Sequence, residues 1–229
     1  MKWGILGALD AEIDLIREKM EITAQTKRFG TVFYEGIIDG QEVVLVCCGV
    51  GKVNAAVCAA AVMETFGADC IVNVGIAGAM GSGLHILDVV ISSEVGFHDQ
   101  DAVMLKYYPQ RAFFPSDEAL AALCDRACAA LPEMDGRYRH GRIVSGDQFI
   151  NDAAIKKSIN ERYAPECVEM EGAAIGHAAF MFEKPYLVIR TMSDAADDAA
   201  DETYDDFIER AAHTSASVIL KMLELSAQV

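Results

Sequence analysis

Cys70-Ile71-Val72-Asn73-Val74 runs directly into Gly75-Ile76-Ala77-Gly78-Ala79-Met80-Gly81. The first five residues read as a buried strand. The small residues after it let a ligand approach the backbone at a strand's C-terminal end, where open α/β sheets bind their ligands. Short apolar runs bounded by glycine alternate with longer helical patterns along the rest of the chain, the signature of a sheet flanked by helices.

Lys2–Gly7 reads as a strand and Leu9–Met20 as a helix with Leu9, Ile13, Ile16 and Met20 on one face. Phe29–Ile38 and Glu42–Cys48 flank Asp39-Gly40, a hairpin signal because the turn demands positive φ. Further strands are predicted at Asp88–Phe97, Ile143–Ser145, Cys167–Met170 and Pro185–Met192. Helices are predicted at Gly51–Phe66, Ser116–Ala130 with Ser116 as N-cap, Asp152–Arg162, Gly172–Phe182 and Asp205–Leu225. No linker, repeat or charge block interrupts the pattern. The expectation is one α/β domain over residues 1–229, a central mixed sheet flanked by helices.

The 229 residues are 52% hydrophobic and 24% charged, which excludes a disordered or low-complexity chain. Asp and Glu number 35 against 19 Lys and Arg, for a net charge of −16. Such a field repels nucleic acid and anionic membrane surfaces, so neither is an expected partner. The seven cysteines form no C-x-x-C pair and read as buried free thiols. The N-terminal apolar run is too short for a signal segment and no stretch of eighteen apolar residues follows, so the expected compartment is a reducing cytoplasm.

Gly49-Val50-Gly51-Lys52 follows a strand and opens a helix, where backbone amides can hold an anion. It is not a phosphate-binding P-loop, because Val46 and Val53 stand where that motif needs glycine and Ser/Thr, and Asn54 replaces the third glycine of a dinucleotide fingerprint. Acids at the ends of apolar stretches are more informative. Glu171 closes Cys167-Val168-Glu169-Met170-Glu171, and Asp194 follows the apolar strand that carries Arg190. A period of two puts Arg190 and Asp194 on one face if the strand stays extended. Carboxylates buried at strand ends suit acid and base roles. His98-Asp99-Gln100-Asp101 is the one histidine–acid cluster, and it lacks a further His or Cys partner, so no metal is expected.

Gly4-Ile5-Leu6-Gly7-Ala8 with Glu12, Gly49-Val50-Gly51-Lys52, Asn73-Val74-Gly75-Ile76-Ala77-Gly78, Val144-Ser145-Gly146-Asp147-Gln148-Phe149-Ile150, Val168-Glu169-Met170-Glu171 and Arg190-Thr191-Met192-Ser193-Asp194 occur in this order. The ordered set resembles the 5'-methylthioadenosine/S-adenosylhomocysteine nucleosidases of the purine nucleoside phosphorylase superfamily, over residues 1 to about 225. The resemblance implies a nucleoside phosphorylase-like fold and hydrolysis of an adenine–ribose bond without cofactor or metal. That chemistry needs a neutral leaving base, a stabilised ribosyl oxocarbenium and an activated water.

By the same resemblance Asp194 protonates adenine N7, its pKa raised by burial, and Ser193 orients it. Glu12 is the general base for water, and Arg190 helps hold the water and nearby carboxylates. Glu171 takes the ribose hydroxyls, Met170 packs on the sugar, Phe149 stacks on the purine, the backbone of Ile150 reads the adenine edge and Gly78 lies near the base. Tyr204 falls where the family has an aromatic by the base. Ala102–Pro115 lies where a second subunit of a homodimer helps close the apolar 5' pocket.

Two departures from the family pattern stand out. Ile76 replaces a Ser or Thr, and the segment after Asp101 diverges. Aminofutalosine or 5'-deoxyadenosine therefore remain alternatives for the substrate. A phosphorylase is the rival enzyme, disfavoured by Asn73 at the place of a phosphate-binding Arg and by the charge of Glu12. A non-catalytic nucleoside sensor is disfavoured because Glu12, Glu171, Arg190 and Asp194 are all present.

Overall fold

A computed structural model describes the backbone of residues 1–195 and 200–227, and the side chains of 1–195 and 207–227. The strands are β1 (Lys2–Gly7), β2 (Glu21–Arg28), β3 (Thr31–Ile38), β4 (Gln41–Cys47), β5 (Cys70–Ala79), β6 (Val89–Phe97), β7 (Phe113–Pro115), β8 (Tyr138–Ser145), β9 (Cys167–Glu169) and β10 (Tyr186–Asp194). The helices are α1 (Asp10–Lys19), α2 (Lys52–Glu64), α3 (Glu118–Ala129), α4 (Ala153–Tyr163), α5 (Gly172–Met181) and α6 (Ala200–Ser226). One mixed sheet carries all the strands in the order β10-β6-β8-β9-β5-β1-β4-β3-β2, with β7 on β6. Because β10 also pairs with β5, five strands close into a ring, and β1, β4, β3 and β2 extend from it as an open wing.

Alternation along the strands divides the core into two layers. Leu6, Ile71 and Val188 face α2 and α5, where Ala55, Ala59, Ala174 and Ala178 keep the helices close. Their neighbours Ile5, Val72 and Ile189 face α1, α3 and α6, against Ile13, Ile16, Cys124, Ile219 and Met222. Strands buried on both faces give the near-continuous apolar runs seen in the sequence. All seven cysteines are free thiols, six buried and Cys47 partly so. Among the described residues no helix is long and apolar enough to cross a membrane.

Besides the unanticipated three-residue β7 and a β8 that begins at Tyr138 instead of Ile143, the structure departs from the sequence reading in four places. β2 was not anticipated, because its side chains are almost all exposed and carry no apolar alternation. It forms by pairing with β3 across Phe29-Gly30, a two-residue turn with φ of 53° and 83°, the same geometry as Asp39-Gly40 (48° and 79°). β5 does not stop at Val74; the glycine-rich residues to Ala79 are strand, paired with β10 on one side and β9 beyond. A bulge between Met192 and Asp194 breaks the period of two in β10, so alternation no longer relates Asp194 to Arg190.

The fourth departure is the cap of α3. Asp117, not Ser116, is the N-cap: its carboxylate accepts from the Leu120 amide at 2.9 Å, while Ser116 Oγ pairs with Ser92 Oγ at 2.6 Å. D117A should therefore lower the unfolding free energy by about 0.5–2 kcal/mol, and D117N should keep most of it. Denaturant melts of the two variants check the assignment.

Candidate active site

The C-terminal ends of β5, β9 and β10 meet beside the start of α1, and a cavity opens between them. Its wall includes Glu12, Gly78, Phe149, Met170, Glu171 and Ser193, with Leu9, Val50, Ile76 and Val168 as apolar lining. It encloses about 90 Å³, against roughly 300–1,000 Å³ for typical small-molecule pockets. Phe149, on its wall, is 43% exposed. Larger hollows of about 430 and 480 Å³, one between α2 and α5 and one beside β7, are not lined by Glu12, Glu169 or Glu171, whereas the smaller cavity is. The buried acids, not the volume, mark the chemistry.

Glu12 sits at the third position of α1 and turns back to cap its own helix. Oε2 accepts from the amides of Ala8 at 2.6 Å and Leu9 at 3.0 Å, and Oε1 accepts from the Ile76 amide on β5 at 3.0 Å. A carboxylate reaching back to the N-cap amide is half of a capping box, here used to fix a functional group. Gly75 makes the space: a Cβ there would stand 2.5 Å from Glu12 Oε1 and 2.9 Å from Arg190 Nη1. Burial raises the Glu12 pKa, and the Arg190 charge and the three amides offset part of the rise.

Arg190 is 1% exposed. Its Nη2 donates to Glu169 Oε2 at 2.5 Å and lies 3.7 Å from Glu171 Oε2. Burial disfavours its charge, but Glu169, Glu12 and Glu171 outweigh that and hold it more firmly protonated than an ordinary arginine. Glu169 also accepts from the amides of Glu171 at 2.9 Å and Gly172 at 2.7 Å, and from the Ser145 hydroxyl. It thus satisfies the first orphan amides of α5. Glu171 receives less help. Burial first and the Glu169 charge second push its pKa up to about 8, although the Gly51 amide donates to Oε1 at 2.8 Å.

The amides at the start of α2, open to an anion on sequence grounds, are already occupied. Gly51 N–H goes to Glu171 and Lys52 N–H to Asp147 Oδ1 at 2.9 Å. The Lys52 ammonium joins Asp99 at 2.6 Å and Asp147 at 3.4 Å, and the Asp147 amide donates to Asp99 at 3.0 Å. Three loops are tied together beside the cavity.

Asp194 is 2% exposed at the end of β10, and Ser193 Oγ donates to its Oδ2 at 2.8 Å. It stands in register with Gly78, two residues along β5 from the Ile76 amide that holds Glu12. That spacing is about 7 Å along the strand. The bulge before Asp194 turns Ser193 to the cavity wall.

Of the residues singled out by sequence, Glu12, Gly78, Phe149, Met170, Glu171 and Ser193 line the cavity. Arg190 and Asp194 are not among its lining residues; Asp194 is hydrogen-bonded to Ser193, which is. Ile150 does not line it; its side chain packs with Met80, Val144 and Ile159. Tyr204 lies outside the described side chains. Glu169, Ser145 and Asp147 were not assigned roles by sequence. The run of acids around Met170 was a signal for Glu169, but its partners come from β8 and β10 and have no local trace.

Residues 2–224 match the Phosphorylase superfamily. The 5'-methylthioadenosine/S-adenosylhomocysteine nucleosidase of Aeromonas salmonicida is 41% identical, over 97% of this chain and 99% of its own length. The crystal structure of the corresponding enzyme of Neisseria meningitidis in complex with methylthio-immucillin-A superposes with a TM-score of 0.92 at 37% identity, covering 98% of this chain and 99% of that one. Helicobacter pylori futalosine hydrolase superposes with a TM-score of 0.91 at 29% identity, covering 98% of both chains. With this identity sustained along nearly the whole chain, and with the fold and the buried acids already in place, the chain belongs to the phosphorylase superfamily and, within it, to the 5'-methylthioadenosine/S-adenosylhomocysteine nucleosidase family.

Proposed function

We propose that this protein hydrolyses the N-glycosidic bond of 5'-methylthioadenosine and S-adenosylhomocysteine, releasing adenine and the 5-thioribose product. The observation that carries this reading is the filling of the helix-start amides by Glu171 and Asp147 beside a buried Glu12. A phosphorylase would need those donors and a cation for phosphate. Here the two amides are already bonded to carboxylates and the adjacent Lys52 ammonium is paired with Asp99 and Asp147, so an anion would have to displace acids to reach either.

In the proposed mechanism Asp194, steadied by Ser193, gives a proton to adenine N7, and the C1'–N9 bond breaks with its electron pair leaving on the purine. Glu12 takes a proton from water as the oxygen bonds to C1'. Its raised pKa makes it a stronger base than an exposed glutamate. Glu171 binds the ribose hydroxyls and Met170 packs on the sugar. Phe149 stacks on the base, Gly78 lies beside it, and the Ile150 backbone reads its amino edge. Arg190 holds the carboxylates in place. No step requires a cofactor.

Residues 1–229 act as one catalytic unit, since the walls of the site come from strands of a single sheet, from the start of α1 and from the loops that follow β4, β8 and β9. A homodimer fits the exposed apolar surface: Val53 and Val57 one turn apart on α2, Met181 at the end of α5, and Met104, Leu105 and Tyr107 in the segment after Asp101. The partner's copy of that segment would close the 5' end of the substrate. Free thiols throughout suit a reducing cytoplasm. The futalosine hydrolase likeness keeps aminofutalosine as a second candidate substrate, because the segment that would meet the 5' group diverges.

Adenine release from methylthioadenosine, adenosylhomocysteine, 5'-deoxyadenosine and aminofutalosine, each with and without phosphate, tests the reading. The first two should be cleaved at the same rate with or without phosphate; formation of ribose 1-phosphate would overturn it. D194N and E12Q should each lower kcat by about 100-fold or more while a nucleoside analogue still binds. Full activity in either would remove that acid or base.

Glu171 gives a pH prediction. Its pKa rises from 4.5 in the unfolded chain to about 8 when folded, so folding favours the protonated form. That contribution is complete below 4.5 and is lost as pH climbs through 8. E171Q keeps a neutral group at all pH values. The wild-type melting midpoint should fall more steeply than that of E171Q between about pH 4.5 and 8, with no further divergence above that range.

A further inference from the structure

We infer that Asn73 is a positioning residue that fixes the Arg190 guanidinium in front of Glu12; this rests on the nucleosidase reading of the site. Asn73 is fully buried in the middle of β5, among Ile71, Val72 and Val74, where an apolar side chain would pack without needing partners. It stands opposite Leu6 on β1 and Val188 on β10, two residues before Arg190 on its neighbour strand.

Its amide is used at both ends. Nδ2 donates to the Leu6 carbonyl at 2.9 Å, and Oδ1 accepts from Arg190 Nη2 at 2.6 Å. Among side chains of this size only an amide both donates to a carbonyl and accepts from a guanidinium. Aspartate would set a charge against the Leu6 oxygen, and leucine would satisfy neither partner.

The consequence lies in how Arg190 spends its hydrogens. Nη2 carries two, one directed to Asn73 and the other to Glu169. With Nη2 pinned from both sides, the guanidinium plane is fixed, and Nη1 comes to the same glycine-made space at Gly75 that receives Glu12 Oε1. Arg190 Nε has no hydrogen-bond partner, and Nη1 has only a 3.4 Å contact with its own residue's neighbour, the Ile189 carbonyl. Without Asn73, Glu169 would be the one side chain still hydrogen-bonded to Nη2, and Glu171 at 3.7 Å and the long Nη1 contact to the Ile189 carbonyl would aim the plane less sharply. β5 therefore supplies both parts of the device in Asn73-Val74-Gly75: the amide that aims the arginine and the missing side chain that admits it.

The charged and titratable groups facing Arg190 are Glu12 on α1, Glu169 on β9 and Glu171 after it; the Cys48 thiol after β4 neighbours Glu12 and Glu171. Arg190 lowers the pKa of Glu12, so a displaced guanidinium should let it rise.

The test measures pH profiles of kcat and KM for methylthioadenosine with wild type, E12Q, N73L and N73A. N73A leaves room for a water beside Arg190 and guards against a misfolded N73L; circular dichroism reports the fold of both. The expected result is a loss in kcat of about 10–100-fold in both variants. KM should stay within about threefold, and the acid limb of kcat/KM should move to higher pH. A merely structural asparagine would change stability without moving that limb. Wild-type kcat in a folded N73L or N73A, or a loss of kcat with the acid limb unmoved, would overturn the role of Asn73 while wild-type turnover and an inactive E12Q leave the nucleosidase reading intact. Absence of adenine release by the wild type would instead remove that reading, and this inference with it.

Discussion

One buried guanidinium among three buried carboxylates governs the site. Arg190 approaches Glu169 at 2.5 Å and Glu171 at 3.7 Å, and its charge also acts on Glu12. A single positive charge cannot neutralise three negative ones in a medium that screens poorly. Burial raises the pKa of both Glu12 and Glu171, and at Glu171 the Glu169 charge adds to the rise, so the single guanidinium offsets only part of the cost of keeping these carboxylates ionised. A ligand that develops positive charge in this cavity would relieve the imbalance as the charge forms. Stabilisation that grows toward the transition state is the kind that accelerates a reaction, and the oxocarbenium of glycosidic cleavage has the required sign.

The fold makes this cluster possible by emptying space and by breaking regularity. Gly75 gives up a side chain in a buried strand, which weakens strand packing but lets Glu12 and Arg190 meet. The bulge in β10 ends the alternation that kept Arg190 inside the sheet and brings Ser193 to the cavity wall beside Asp194. Closure of five strands into a ring brings β9, only three residues long, against the end of β5, so that Glu169 at its end reaches Arg190 and Glu171 just after it reaches the Gly51 amide at the start of α2.

Most of this architecture was legible in sequence because the strands buried on both faces read as apolar runs and the helices as periodic ones. β2 was not, since an exposed edge strand is specified by its partner and by the Phe29-Gly30 turn, not by its own pattern. The extent of β5 was misread because glycines usually mark turns, whereas here they mark crowding by side chains from α1 and β10. Glu171 and Asp194 could be singled out as acids at the borders of apolar stretches and Arg190 as the cation within one, while Glu12 was marked only by the family resemblance. Glu169 could not be told from its neighbour, because its distinguishing contacts, Ser145 on β8 and Arg190 on β10, are fixed only by sheet order.

This distribution of contacts also explains how a site that opposes folding is maintained. The groups that hold it are far apart in the chain: Glu12 is bonded to Ile76, Gly51 to Glu171, Lys52 to Asp147. Each bond joins segments distant in sequence, so the cost of burying the acids is shared with the long-range packing that brings those segments together. The core lies on both faces of the sheet, and its apolar burial offsets the cost. Replacing the acids by neutral isosteres would relax the protein, as expected where chemistry rather than stability has set the residue. The charge imbalance at Arg190 is thus the part of the structure that the rest of the fold is arranged to tolerate.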